Sequence, residues 1–150
     1  MAVDSDSGVV GKLHTEALGS SPNVLPLTLD LLDPSSRRGW AQKERNGLIE
    51  RGPADFVLAL AVVHHLAITG NVPLPNIFQW LADIARAGTV EFVPKEDPAL
   101  QTLIRWRKDI YHNYNRENFE SSLDRYFNVT ERHQLPESGR VLYSFIRRDT

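Results

Sequence analysis

Two histidines, His64 and His65, close the longest apolar run of the chain, and two carboxylates, Asp4 and Asp30, each follow a shorter one. An imidazole near its ordinary pKa can take a proton from a hydroxyl or amine as that group attacks an electrophile, the usual form of general-base catalysis. Adjacent residues on an extended strand point to opposite sides, so the pair is not expected to clamp one metal, and at most one imidazole faces a substrate. A carboxylate accepts two donors at once, so Asp4 can recognise a diol. Plainer roles stand beside these. Either histidine can orient or pack, Asp4 can cap a helix, and Asp30 can be a solvated loop aspartate ahead of Asp33-Pro34. Asp6 is expected as the helix cap itself.

The elements that must carry these residues run strand, helix, strand. Val9, Val10, Leu13 and Ala17 recur at helical spacing between Asp6 and Ser20. Asn23 to Asp30 reads as a strand, which Pro26 confines to an edge or bulge for want of an amide donor. Gly39 to Arg51 has the length of a helix but poor periodicity. Behind the Gly52-Pro53 breaker, Asp55 to Val63 is continuously apolar, as expected of a central strand covered on both faces. Ile77, Trp80, Leu81 and Ile84 mark one helix face, with Pro75 in its first turn and Gly88 closing it.

Thr89 to Val93 follows as a further strand. Leu100, Leu103, Ile104 and Trp106 mark a helix after Pro98, and another opens at Asn115 to bury Phe119, Leu123 and Phe127. Asn128 to Leu135 and Arg140 to Ile146, joined by Pro136-Glu137-Ser138-Gly139, should pair as an antiparallel hairpin. The expected fold class is therefore α/β: a Rossmann-like, mostly parallel sheet with a terminal antiparallel hairpin. Ligands of such sheets bind at the carboxyl ends of the strands, which is where His64 and His65 fall.

Composition narrows the function. With 150 residues, 41% of them hydrophobic and 24% charged, the chain suits one soluble domain over 1–150. A net charge of -2 offers no Lys/Arg surplus for nucleic-acid phosphates. No cysteine is present, which removes disulfides, thiolate metal sites and a cysteine nucleophile and suits a reducing compartment, the cytoplasm by default. Phe56 to Val63 is far short of the roughly 20 residues of a membrane helix, and Asp4 and Asp6 spoil a signal peptide. No metal site is expected.

Together these residues resemble the class I methyltransferases that use S-adenosylmethionine (SAM), whose seven-stranded sheet ends in a reversed hairpin. The segment Gly52 to Leu66, ending His64-His65-Leu66, is similar to the small-molecule type with His-His-Leu after the fourth strand, and Val90 to Pro94 fits the strand that follows. The resemblance begins at the family's second strand and implies in-line methyl transfer from SAM to a small-molecule acceptor, leaving S-adenosylhomocysteine (SAH). It further implies that Asp4 holds the ribose hydroxyls, Asp30 the adenine amino group, Leu31 the ring face and Ala61 the methionine portion, with His64 or His65 at the acceptor. Trp40, Glu44 and Arg45, and Tyr111 with Tyr114, are candidates to line an acceptor pocket, with packing as their plainer role. Arg105, Arg107, Lys108, Arg147 and Arg148 are expected in solvent.

The family's first strand and the Gly-rich turn after it have no counterpart, since Gly8 and Gly11 fall inside a helix segment. A partial methyltransferase-like domain is thus expected, truncated at its N-terminus, whose open edges invite a second copy or a partner chain to complete the sheet. The alternative function is a non-catalytic, methyltransferase-like interaction module, or a fragment that needs a partner or a missing N-terminal unit to bind cofactor.

Overall fold

A computed structural model describes residues 1–20, 23–105, 110–136 and 138–149. It is a mixed α/β structure of open sheets and helices, in two compact units, Met1–Arg51 and Gly52–Thr150.

In the first unit, β1 (Ala2–Asp4) leads into α1 (Ser7–Ser20), and the chain returns as β2 (Pro26–Thr28), parallel to β1. Asp6 starts the helix: its Oδ1 accepts from the amides of Gly8 at 2.7 Å and Val9 at 3.3 Å. Ala17 is buried, Val10 and Leu13 are half-buried, and Val9 is exposed. The second strand is shorter than its apolar run, and Pro26 occupies its first position, where the missing donor costs no ladder bond. The helix expected over Gly39 to Arg51 does not form. Two short 3₁₀ turns, Trp40–Gln42 and Ile49–Arg51, stand in its place, because Gly39, Ala41 and Gln42 all take positive φ and break the helical path. An Arg37–Glu50 ion pair and a Gly47 amide donating to Glu50 tie the loop together.

The second unit is a four-stranded sheet in the order β3-β4-β6-β5. β3 (Ala54–Ala59) and β4 (Ala85–Phe92) are parallel; β6 (Val141–Arg147) runs antiparallel between β4 and β5 (Phe127–Gln134). The expected closing hairpin is thus present, with Phe127 in β5 rather than in the preceding helix. Helix α2 (Leu74–Ile84) buries Leu74, Ile77, Phe78 and Leu81. Extended backbone at Ala85 ends it before Gly88, which lies inside β4. A Cβ on Gly88 would stand 2.5 Å from the Val57 carbonyl oxygen and 2.9 Å from Phe145, so glycine there permits the close approach of three strands.

Helices α3 (Pro98–Ile104) and α4 (Arg116–Asp124) are capped by Asp97 and Asn115, whose side chains accept from the amides of Ala99 and Asn118. Trp106, Arg107, Lys108 and Glu137 lie outside the described residues. The core is aromatic: Phe119 meets Phe78, Phe92 and Tyr143 at ring separations of 5.0, 5.1 and 5.4 Å. Edge-to-face and tilted contacts of this kind add to the burial of large apolar surfaces. Arg148 is exposed, as expected, with its Nε donating to the Phe127 carbonyl at 3.2 Å, whereas Arg147, also expected in solvent, is half-buried and donates to the Ala82 carbonyl at 2.9 Å.

β3 departs most from its sequence. Phe56, Leu58 and Leu60 are 58%, 64% and 47% exposed on one face, while Val57 and Ala59 turn to the covered face. It is an edge strand of its sheet, not a central one covered on both sides.

Candidate cofactor and acceptor residues

Asp4 ends β1 and Asp30 stands two residues beyond β2, so both lie at the carboxyl end of one parallel pair, where Leu29 N–H still donates to the Asp4 carbonyl at 3.0 Å. Both side chains are exposed. Asp4 Oδ1 accepts from the Asp6 amide and Asp30 Oδ1 from the Leu32 amide, each at 2.8 Å, which fixes the carboxylate against its own turn. The second oxygen of each has no partner among the described residues. Those free acceptor oxygens are suited to hydroxyl and amino donors. Leu31, half-buried, follows in the same turn.

In the second unit the chain leaves β3 by a sharp turn. Ala61 has φ 52, left-handed for a residue with a Cβ, and its N–H donates at 2.7 Å to Glu91 Oε2 on β4. Left-handed backbone costs on the order of 1–2 kcal/mol without glycine; the carboxylate hydrogen bond offsets part of it. The next residues do not continue the strand. His64 has helical φ and ψ and caps a π-type turn, His65–Thr69, a form frequent at functional sites.

The premise that the histidines point to opposite faces of an extended strand is therefore corrected. Their rings lie 4.3 Å apart, tilted by 36°, one buried and one exposed. His64 is 3% exposed, and its Nδ1 has no hydrogen-bond partner among the described residues. Burial, then the neighbouring His65 and Arg140 charges, push its pKa down to about 4, so the imidazole is neutral near pH 7.

A second set of residues, not singled out by the sequence, holds this end of the sheet. Arg140, ahead of β6, donates from Nε and Nη2 to the two oxygens of Asp97 at 2.6 and 3.0 Å, and from Nη1 to Glu91 Oε1 at 3.2 Å. Glu91 and Asp97 are both buried. The Arg140 hydrogen bond holds the Asp97 carboxyl below the usual range, and the same contact raises the guanidinium's own pKa. Glu91 was legible as a lone carboxylate in an apolar strand. Asp97 carries the local signal of a helix cap ahead of Pro98, but nothing local joins it to Arg140.

The other acceptor candidates separate. Trp40 is 85% exposed, and Glu44 and Arg45 are exposed beside it. Tyr114 is a core residue, stacked on Phe92 and donating to the Val93 carbonyl at 2.9 Å, and burial raises its pKa. Tyr111 borders a cleft of about 510 Å³ with Asn71, Asn113, Asn118 and Arg125. Arg105 is exposed. Among the described residues, no group of three or more His, Asp or Glu is placed to hold a metal ion, and no helix is long and apolar enough to cross a membrane.

The chain is 42% identical over 144 residues to the nodulation protein NoeA of Rhizobium meliloti (strain 1021). The match takes in 96% of this chain but 30% of NoeA, so the chain spans under a third of that relative's length. No family model matches it.

Proposed function

We propose that this chain is part of a class I SAM-dependent methyltransferase acting on a small-molecule acceptor. The observation that carries the reading is the order β3-β4-β6-β5, a parallel pair finished by a reversed strand, with a buried imidazole and a left-handed turn at the carboxyl end of β3. Rossmann-like sheets bind their ligands at such strand ends. When bound, SAM supplies an activated methyl group. Asp4 holds ribose hydroxyls and Asp30 the adenine amino group, with Leu31 against the ring. Ala61 contacts the methionine portion. His64, neutral near pH 7 and with no Nδ1 partner among the described residues, fixes the orientation of the acceptor, since a pKa of about 4 leaves it a weak base, and the proton falls to the exposed His65. His65 stacks beside it. The absence of cysteine suits the cytoplasm, and the likeness to a nodulation protein makes small metabolites of nodulation the first acceptors to screen.

A second reading is a non-catalytic interaction module. It is favoured by the exposed Phe56 and Leu58 on edge strand β3 and Leu60 just beyond it, a surface that a second copy or partner chain would cover. Calorimetric titration with SAH separates the two: micromolar binding that Asp4→Ala abolishes supports the enzyme. A folded chain that takes up no SAH, and elutes as a dimer or captures a partner strand, supports the module.

A further inference from the structure

We infer that Arg140 is a positioning residue for the carboxyl end of β3. Through Glu91 it fixes the Ala61 amide, and through Asp97 it fixes the head of α3. The roles of Ala61 and His64 rest on the methyltransferase reading; the arrangement is testable without it.

The argument begins with Glu91. One oxygen takes the Ala61 N–H and the other a guanidinium N–H, so the carboxylate is a bridge between the β3 exit and the β5–β6 turn. A buried carboxylate with both oxygens engaged has little freedom to swing. Asp97 is used the same way: its Oδ1 caps α3 through the Ala99 amide while both oxygens receive Arg140. One planar guanidinium thus sets two carboxylates, each of which sets a backbone amide. Arginine suits this task because its fork donates in fixed directions, which a lysine ammonium cannot copy.

His64 lies within the field of this cluster. The charged and titratable groups that act on it are His65 from its own turn, Arg140 from the β5–β6 turn and Asp97 from the head of α3; Glu91 on β4 bonds Arg140. Helix α2, also packed on the π-type turn, carries one charged residue, the exposed Asp83 near its end. The Arg140 charge disfavours a second cation at His64, and the Asp97 carboxylate opposes it. Arg140 therefore fixes the shape of the turn, and its charge adds to burial and to His65 in keeping the imidazole neutral.

The test is NMR on the full 150-residue chain, following the His64 ring through an acid titration and the Ala61 amide resonance, in wild type, Arg140→Gln and Arg140→Lys. In R140Q the carboxylates stand unopposed, so the His64 midpoint rises and the Ala61 resonance moves. R140K keeps the charge without the fork, so the midpoint holds while Ala61 still moves. A purely structural staple would lower the melting temperature and leave both signals where they were in the folded chain, which overturns the proposal. Should R140Q not fold, R140K decides alone: a displaced Ala61 resonance supports the inference and an unmoved one sinks it. SAH titration adds the functional arm, with R140K weakening binding by about threefold to tenfold, the loss of roughly one hydrogen bond. A wild-type chain that binds no SAH removes the methyltransferase reading, while the His64 and Ala61 signals still decide the role of Arg140.

Discussion

Arg140 grips Asp97, 43 residues earlier in the chain, with two hydrogen bonds of 2.6 and 3.0 Å, the fork-to-carboxylate geometry that only arginine makes. Asp97 is 3% exposed and Glu91 7% exposed at the side chain, so removing the cation strands two carboxylates away from water. Breaking such a buried pair from one side costs about 3–5 kcal/mol. Arg140→Ala should lose stability on that scale in urea unfolding, and Arg140→Ala combined with Asp97→Asn should recover part of it. The pair is also acid-sensitive. Because Asp97 has a folded pKa below its ordinary 3.8, its contribution is full above that value and is lost as pH falls through the lower, folded one.

His64 makes a second, separable contribution to pH dependence. Its pKa in the folded chain is about 4 against an ordinary 6.5, so between these values the unfolded chain holds a proton that the folded chain does not. Stability should therefore fall as pH drops from about 6.5 to about 4, by roughly 2–4 kcal/mol. His64→Gln removes that titration, and its stability should be flat over the same window. Denaturant midpoints at three pH values for wild type and H64Q decide it: parallel curves would mean that His64 is solvated in the folded state.

Gly88 offers a test of the sheet. A methyl group there would stand 2.5 Å from the Val57 carbonyl oxygen and 2.6 Å from the Val57 Cγ1, contacts that only a shift of β3 against β4 can relieve. Gly88→Ala should destabilise by about 1–3 kcal/mol, the usual cost of overpacking. Trimming the neighbour in the double variant with Val57→Ala should restore less than half of it, since the carbonyl clash remains.

The alternation of strands and helices was legible because most elements carry their own signal: α2 from Ile77, Trp80, Leu81 and Ile84, the closing pair from two strand-like segments around a turn with Pro136 and Gly139. Asp6 and Asn115 were readable as caps for the same reason, being short polar side chains ahead of helical stretches. The exit from β3 was not. Ala61 adopts a left-handed conformation that sequence associates with Gly or Asn, and it is held there by Glu91, 30 residues away. That one dihedral turns the histidine pair from a strand end into a helical turn. Arg140 was hidden for a related reason, since its partners lie 43 and 49 residues back and no local pattern joins them. The solvent-facing side of β3 misled in the opposite direction: its apolar composition reads as burial that these 150 residues do not provide.

That exposed face yields its own expectation. Phe56 and Leu58 contribute little to the stability of the second unit because water already reaches them. Leu58→Lys should change the unfolding free energy by no more than about 0.5 kcal/mol, whereas truncating the fully buried Phe119 should cost about 3–5 kcal/mol. Sedimentation of the same L58K protein should show less self-association than wild type, as a charge on an edge strand opposes pairing. A large loss of stability in L58K would instead place that side chain in a packed interior.

Asp4 and Asp30 carry the last expectation. Each keeps one oxygen engaged with its own turn, Asp4 with the Asp6 amide and Asp30 with the Leu32 amide, and offers the other outward at the carboxyl end of β1 and β2. A ligand carboxylate would be repelled there and a hydroxyl or amino donor favoured. Substitution by asparagine keeps the turn-closing acceptor but halves the acceptor capacity toward a diol, while alanine removes both. Asp4→Asn should weaken SAH binding by about tenfold or more, the scale of a hydrogen bond to a charged group, with unchanged melting temperature. Asp30→Asn should weaken SAH by a similar factor and leave binding of a ribose-only fragment untouched, because the partner proposed for it is the adenine amino group. Equal affinity of wild type, D4N and D30N for SAH would show that both carboxylates serve only their turns.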